Sequence, residues 1–137
     1  MSAAPTALIE ISRSMMQGSS GEAAGIWPRA CVLLARQALE DALTQLWRMA
    51  APGVESASKK SQLICLGNDP ELRVDPQVAA RATYAWHALS MFCHDHAYEL
   101  QPVLSEIGGW LDEVQAFIDA VNRHTPLDSA GAAVLNI

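Results

Sequence analysis

Residues 75–100, DPQVAARATYAWHALSMFCHDHAYEL, decide the fold. Asp75 followed by Pro76 is a helix start. A carboxylate at the cap accepts a backbone N–H, and a proline at the first position gives up an N–H that has no intrahelical partner. Pro102 limits the other end, because the residue before a proline avoids helical angles. The spacing predicts a helix over 75–100. At about 100° per residue this helix divides into two stripes. Trp86, Leu89, Cys93, His96 and Leu100 make an apolar one, while His87, Ser90, Met91, His94 and Tyr98 make a more polar one on a different side.

On the N-terminal side, 27–49 predicts a second long helix. Pro28 sits in its first turn, and Pro52 and Gly53 end it. Cys31, Leu34, Ala35, Ala38, Ala42, Leu46 and Met49 recur at steps of three and four, and Leu39 and Leu43 widen the stripe. A stripe this wide fits a helix packed on two or more neighbours. Arg29, Arg36 and Glu40 mark its wetter face. A shorter helix is predicted over 56–66, capped by Ser56 or Ser58, with Gly67 just past its end. Residues 6–16 predict a short first helix with Leu8, Ile9, Ile11, Met15 and Met16 on its apolar side. Ser12 and Ser14 weaken that pattern, and 17–25 has the composition of a loop.

On the C-terminal side, a helix is expected from near Pro102 to about Asn122, with Ile107, Leu111, Val114, Phe117, Ile118 and Val121 inward. Gly108 and Gly109 fall inside it, each costing about 1 kcal/mol relative to alanine. They mark either a kink or a close helix–helix approach, such as one between subunits. Residues 124–137, with Pro126 and Gly131, are expected to form a mobile tail. The result is an all-α fold, an antiparallel bundle of four or five helices. It has a short helix and loop over 1–26, a bundle domain over 27–123 and the tail over 124–137.

The chain has 137 residues, enough for one core. Its net charge is −6 and its pI near 5.0, which disfavours tight binding to a phosphate backbone, so no DNA partner is expected. Arg29, Arg36, Arg48, Lys59 and Lys60 lie in the first half, whereas most acidic residues lie in the second. Three cysteines in apolar contexts, Cys31, Cys65 and Cys93, do not form a disulfide framework and predict free, buried thiols in a reducing cytoplasm. No secretory leader is visible, and no apolar run approaches the roughly 20 residues of a membrane span.

The densest group of reactive side chains is Cys93, His94, Asp95, His96, Tyr98 and Glu99. Cys93 and His96, at i and i+3, suit zinc, but the remaining ligands would have to come from Cys31, Cys65 or an acidic residue elsewhere. The bland alternative is a small buried thiol beside a hydrogen-bonded core histidine. Catalysis by Cys93 lacks an exposed nucleophile turn and a histidine across the site. No glycine-rich phosphate loop, zinc finger or helix-turn-helix pattern appears, and no cofactor is expected.

The segment Trp86 to Glu99, with His96-Ala97-Tyr98 at its centre, resembles HEPN-domain proteins, and more closely the small stand-alone HEPN proteins of actinobacteria. The likeness extends in helix order from about Trp27 to Phe117. It implies a helical bundle in which an arginine and a histidine, separated by four to six residues and followed by an aromatic, meet those of a second subunit. In active members they cleave RNA without metal, in toxin-like or defence settings. A histidine serves as acid or base near neutral pH, and an arginine stabilises phosphate charge. Carried to this chain, the site residues are His96, with His94 and Tyr98 beside it, and Arg81. A four-residue spacer before His96 falls on Met91, whereas Arg81 precedes His87 by the spacing of the motif.

Two further readings stand beside the enzyme. In one, the bundle is a homodimer or protein-partner module with the RNA site degenerate; in the other, zinc stabilises the bundle. Trp27, Trp47, Trp86 and Trp110 are expected in core or interface.

Overall fold

The computed structural model describes residues 4–17, 27–68, 72, 74–94 and 104–135, with side chains placed at 5–17, 28–68, 72, 74–93 and 105–123. Among these the chain is all-helical. The helices are α1 (Ala4–Gln17), α2 (Trp27–Ala50), α3 (Lys59–Asn68), α4 (Pro76–His94) and α5 (Leu104–Leu135), with a short 3-10 turn at Val54–Ser56. They form a helical bundle with α2 at its centre, packed against each of the other four helices.

The inward positions of α2 and α5 follow the periodicity. Ala35, Ala38, Leu39, Ala42, Leu43 and Leu46 are buried on α2, as are all six expected apolar positions of α5. Trp47 lies in the core. Removing apolar surface of this kind from water contributes about 25 cal/mol per Å² and is the main term holding the helices together.

The helix ends have local causes. Asp75 Oδ1 accepts the Gln77 N–H at 2.8 Å, and Ser58 Oγ accepts that of Ser61 at 3.1 Å. Gly53 has φ 109°, which a side chain would resist, and its place after Pro52 turns the chain out of α2. Gln62, completely buried, then fixes this turn by donating to the carbonyls of Glu55 and Ala57.

Three features differ from the sequence reading in ways that bear on the packing. Gly67 falls within the last turn of α3, which ends at Asn68, whose side chain donates back to the Ile64 carbonyl at 2.8 Å. Helix α5 continues past Asn122 to Leu135. It does so through Pro126, whose missing N–H and ring clash with the preceding turn oppose a helix, while the alanines beyond it favour one. The backbone is also helical through Gly108 and Gly109 without a break. A Cβ on Gly108 would meet Met16 Cε at an ordinary 3.7 Å, and one on Gly109 would meet nothing within 4 Å. Among the described residues neither glycine is needed for a close approach within one chain.

Helix α1 departs most from its pattern. Ser12 is completely buried and Ile11 is exposed. Ser12 Oγ donates to the Cys31 carbonyl at 3.2 Å, and the Cys31 thiol donates to the Ser12 carbonyl at 3.5 Å. The exchange leaves no polar atom of the pair stranded, so a serine can occupy a core position.

Candidate functional site: the two sides of α4

The inner side of α4 faces α2 and α5. Ala79, Ala82, Ala85 and Leu89 are buried there, with Trp86 and Cys93 at the margin of the core. Glu40 of α2 lies under Trp86. Its Oε2 accepts the indole N–H at 3.1 Å and the Arg36 Nε–H at 3.0 Å. Arg36 and Glu40 are only 26% and 18% exposed, so the face of α2 read as wet is partly roofed by α4. Burial works against the charge on Arg36, but hydrogen bonds with Glu40 and Cys93 outweigh it and raise its pKa. Arg29 Nη2 donates to the Cys93 carbonyl at 3.4 Å, near the end of α4.

Ser90 was grouped with the polar stripe, yet its hydroxyl is buried, and among the described residues it has no hydrogen-bond partner; the same is true of Trp47 Nε1.

The outer side of α4 is different. Tyr84 and Met91 are 66% and 65% exposed, the two highest values among the large hydrophobic side chains. Ala80 and His87 are exposed between and before them. Steps of four, three and four residues set these side chains on one stripe. The His87 and Trp86 rings are T-shaped to one another, 5.3 Å between centroids. Arg81 is the only formally charged residue in the nineteen of α4, and its Nε lies 3.8 Å from Glu113 Oε2 on α5.

Of the sequence-derived site residues, only Arg81 is described with its side chain. Arg81 and His94 are thirteen residues apart on α4, about 20 Å along a helix rising 1.5 Å per residue. That exceeds the reach of the two side chains within one copy. Arg81 and His87 are about 9 Å apart along the axis and about 120° around it. His96 and Tyr98 lie outside the described residues, as does the side chain of His94.

The three thiols also lie apart. Cys31 is buried against α1, Cys65 is exposed on α3, correcting its expected burial, and Cys93 is half-buried beside α2. Burial pushes the Cys31 thiol up, only partly offset by its Ser12 hydrogen bond and the charge of Arg13. Among the described residues no three His, Cys, Asp or Glu side chains converge to hold a metal ion, and no helix is long and apolar enough to cross a membrane.

Tyr84 was not singled out in the sequence, although its signal was present: it stands four residues after Ala80 and seven before Met91. Glu40 as a shared acceptor carried no sequence signal, since α2 and α4 must be docked before Trp86 reaches it.

Comparison with known proteins returned no matching family, no similar curated protein and no similar solved structure.

Proposed function

We propose that this chain is a HEPN-like helical-bundle module that pairs with a second copy through the outer side of α4 and does not cleave RNA. The observation that carries the reading is the uncharged stripe Ala80, Tyr84, His87 and Met91, exposed on a chain of net charge −6. Two copies of an acidic chain repel over most of their surfaces. On α4 the one cation is balanced by Glu113, so a copy can approach there without opposing like charges, and apolar contact is gained. Tyr84 and Met91 suit an interface core, where aromatic and methionine side chains are enriched. The absence of an arginine at position 91 supports a binding role over a nucleolytic one, and three free thiols fit a reducing cytoplasm.

Sedimentation equilibrium of the purified chain, beside the double variant Tyr84→Glu/Met91→Glu, tests this. A dimer that becomes a folded monomer in the variant is the expected result; a monomeric wild type at high micromolar concentration overturns it. A parallel incubation with RNA in EDTA should show no cleavage above the background of His96→Ala. Cleavage that His96→Ala abolishes would make the chain a metal-independent ribonuclease and start a search for its arginine.

A further inference from the structure

We infer that His87 makes this self-association acid-sensitive: protonating the two imidazoles at the twofold axis separates the copies. The inference rests on the pairing through α4 proposed above. In a symmetric, antiparallel contact of two α4 helices, the stripe is self-complementary when Tyr84 of one copy meets Met91 of the other. The midpoint between positions 84 and 91 falls between His87 and Ala88. His87 is exposed, and its ring stands T-shaped to that of Trp86. The two copies of His87 therefore face one another across the axis, in a setting that association desolvates. Neutral imidazoles tolerate this, with one ring able to donate to the other. Two imidazolium ions do not, because like charges in a desolvated contact repel strongly.

Among the described residues no carboxylate forms an ion pair with His87. On α4 itself Arg81 adds a positive charge, and Glu113 of α5 pairs with it. From α2, Glu40 is occupied by Trp86 and Arg36, and Arg29 donates to the Cys93 carbonyl. From α3 come Lys59, held by Thr44 and Gln62, exposed Lys60 and the exposed thiol of Cys65. Glu40 and Glu113, the carboxylates in these contacts, thus already have partners.

The sign of the effect separates it from general electrostatics. Acidifying toward the pI near 5.0 reduces the net charge of each copy. That alone would tighten self-association. Protonation at the axis acts in the opposite direction, because the separated copies bind more protons than the dimer.

The experiment is sedimentation velocity across a concentration series at about pH 8 and about pH 5.5, at constant ionic strength, with helicity followed by circular dichroism. The wild-type dissociation constant is expected to rise at least about tenfold at the lower pH with helicity retained. Whatever its dissociation constant at about pH 8, His87→Gln should show no weakening at about pH 5.5, and His94→Gln should keep the wild-type pH response. A wild-type dimer equally strong or stronger at pH 5.5 overturns the inference but leaves the pairing intact, as does a His87→Gln variant that still weakens with acid. A wild type monomeric at both pH values overturns the pairing itself.

Discussion

Helices α2 and α4 each keep a side away from the core, and those sides are built differently. Helix α2 carries five formally charged residues, Arg29, Arg36, Glu40, Asp41 and Arg48. Its exposed Leu33 is an isolated apolar side chain among them. Helix α4 carries one charged residue, and its exposed side chains include a tyrosine, a histidine and a methionine in register. A single exposed leucine on a charged helix is ordinary, because apolar atoms make up more than half of any protein surface. An uncharged stripe running the length of a helix is not, because it leaves apolar area in water that an acidic chain had residues to avoid. The contrast separates a charged face from an uncharged one.

That contrast can be broken most directly by putting a charge on each face. Met91→Glu should raise the dimer dissociation constant at least about 100-fold, roughly 3 kcal/mol, whereas Leu33→Glu should leave it within about twofold. Equal effects, measured by sedimentation, would show that exposure alone decides association. A smaller effect is expected between the two helices. Glu40→Ala strands the Trp86 N–H and the Arg36 guanidinium in a half-buried place, and should lower stability by about 1–3 kcal/mol in urea unfolding. A loss below about 0.5 kcal/mol would mean that water replaces the carboxylate fully, so that the inner side of α4 is wetter than its burial shows. The smallest effect has the opposite sign. Gly109→Ala should stabilise the chain by about 0.5–1 kcal/mol, since α5 is helical there and a Cβ has open space. A destabilised variant would place Gly109 in a contact made by another molecule, giving the glycine pair a role in assembly that belongs beside the α4 stripe.

The sequence carries the bundle well because periodicity reports burial directly. The steps of three and four in α5 name six side chains, and all six are buried. Asp75, Pro76 and Gly53 mark chain turns through constraints that act locally, so they are readable without any neighbour. What fails is whatever depends on a partner helix. Ser12 looks like a flaw in an apolar stripe until the Cys31 carbonyl stands opposite it. Arg36 and Glu40 look solvated until Trp86 arrives over them. Cys65 sits between Ile64 and Leu66 and looks internal, but α3 turns only Gln62, Leu63 and Leu66 inward. Of the candidate site, the polar stripe of α4 was legible at His87 and Met91. Its exposure was not, because the spacing of a stripe does not tell whether a neighbour within the chain covers it.

The central position of α2 has a consequence for how this chain comes apart. Every other helix rests on it, and α1 and α3 are each fastened to it by polar links as well as apolar ones: Ser12 with Cys31, and Lys59 with Thr44 at 2.7 Å. Helix α3 can fray by giving up contacts made chiefly with α2 and α4, and α1 by giving up those made chiefly with α2 and α5. Helix α2 has no such partial route, since exposing it means releasing all four neighbours in one step. The middle of α2 is therefore the keystone of a cooperative unit, and the flanking helices α1 and α3 mark its seams.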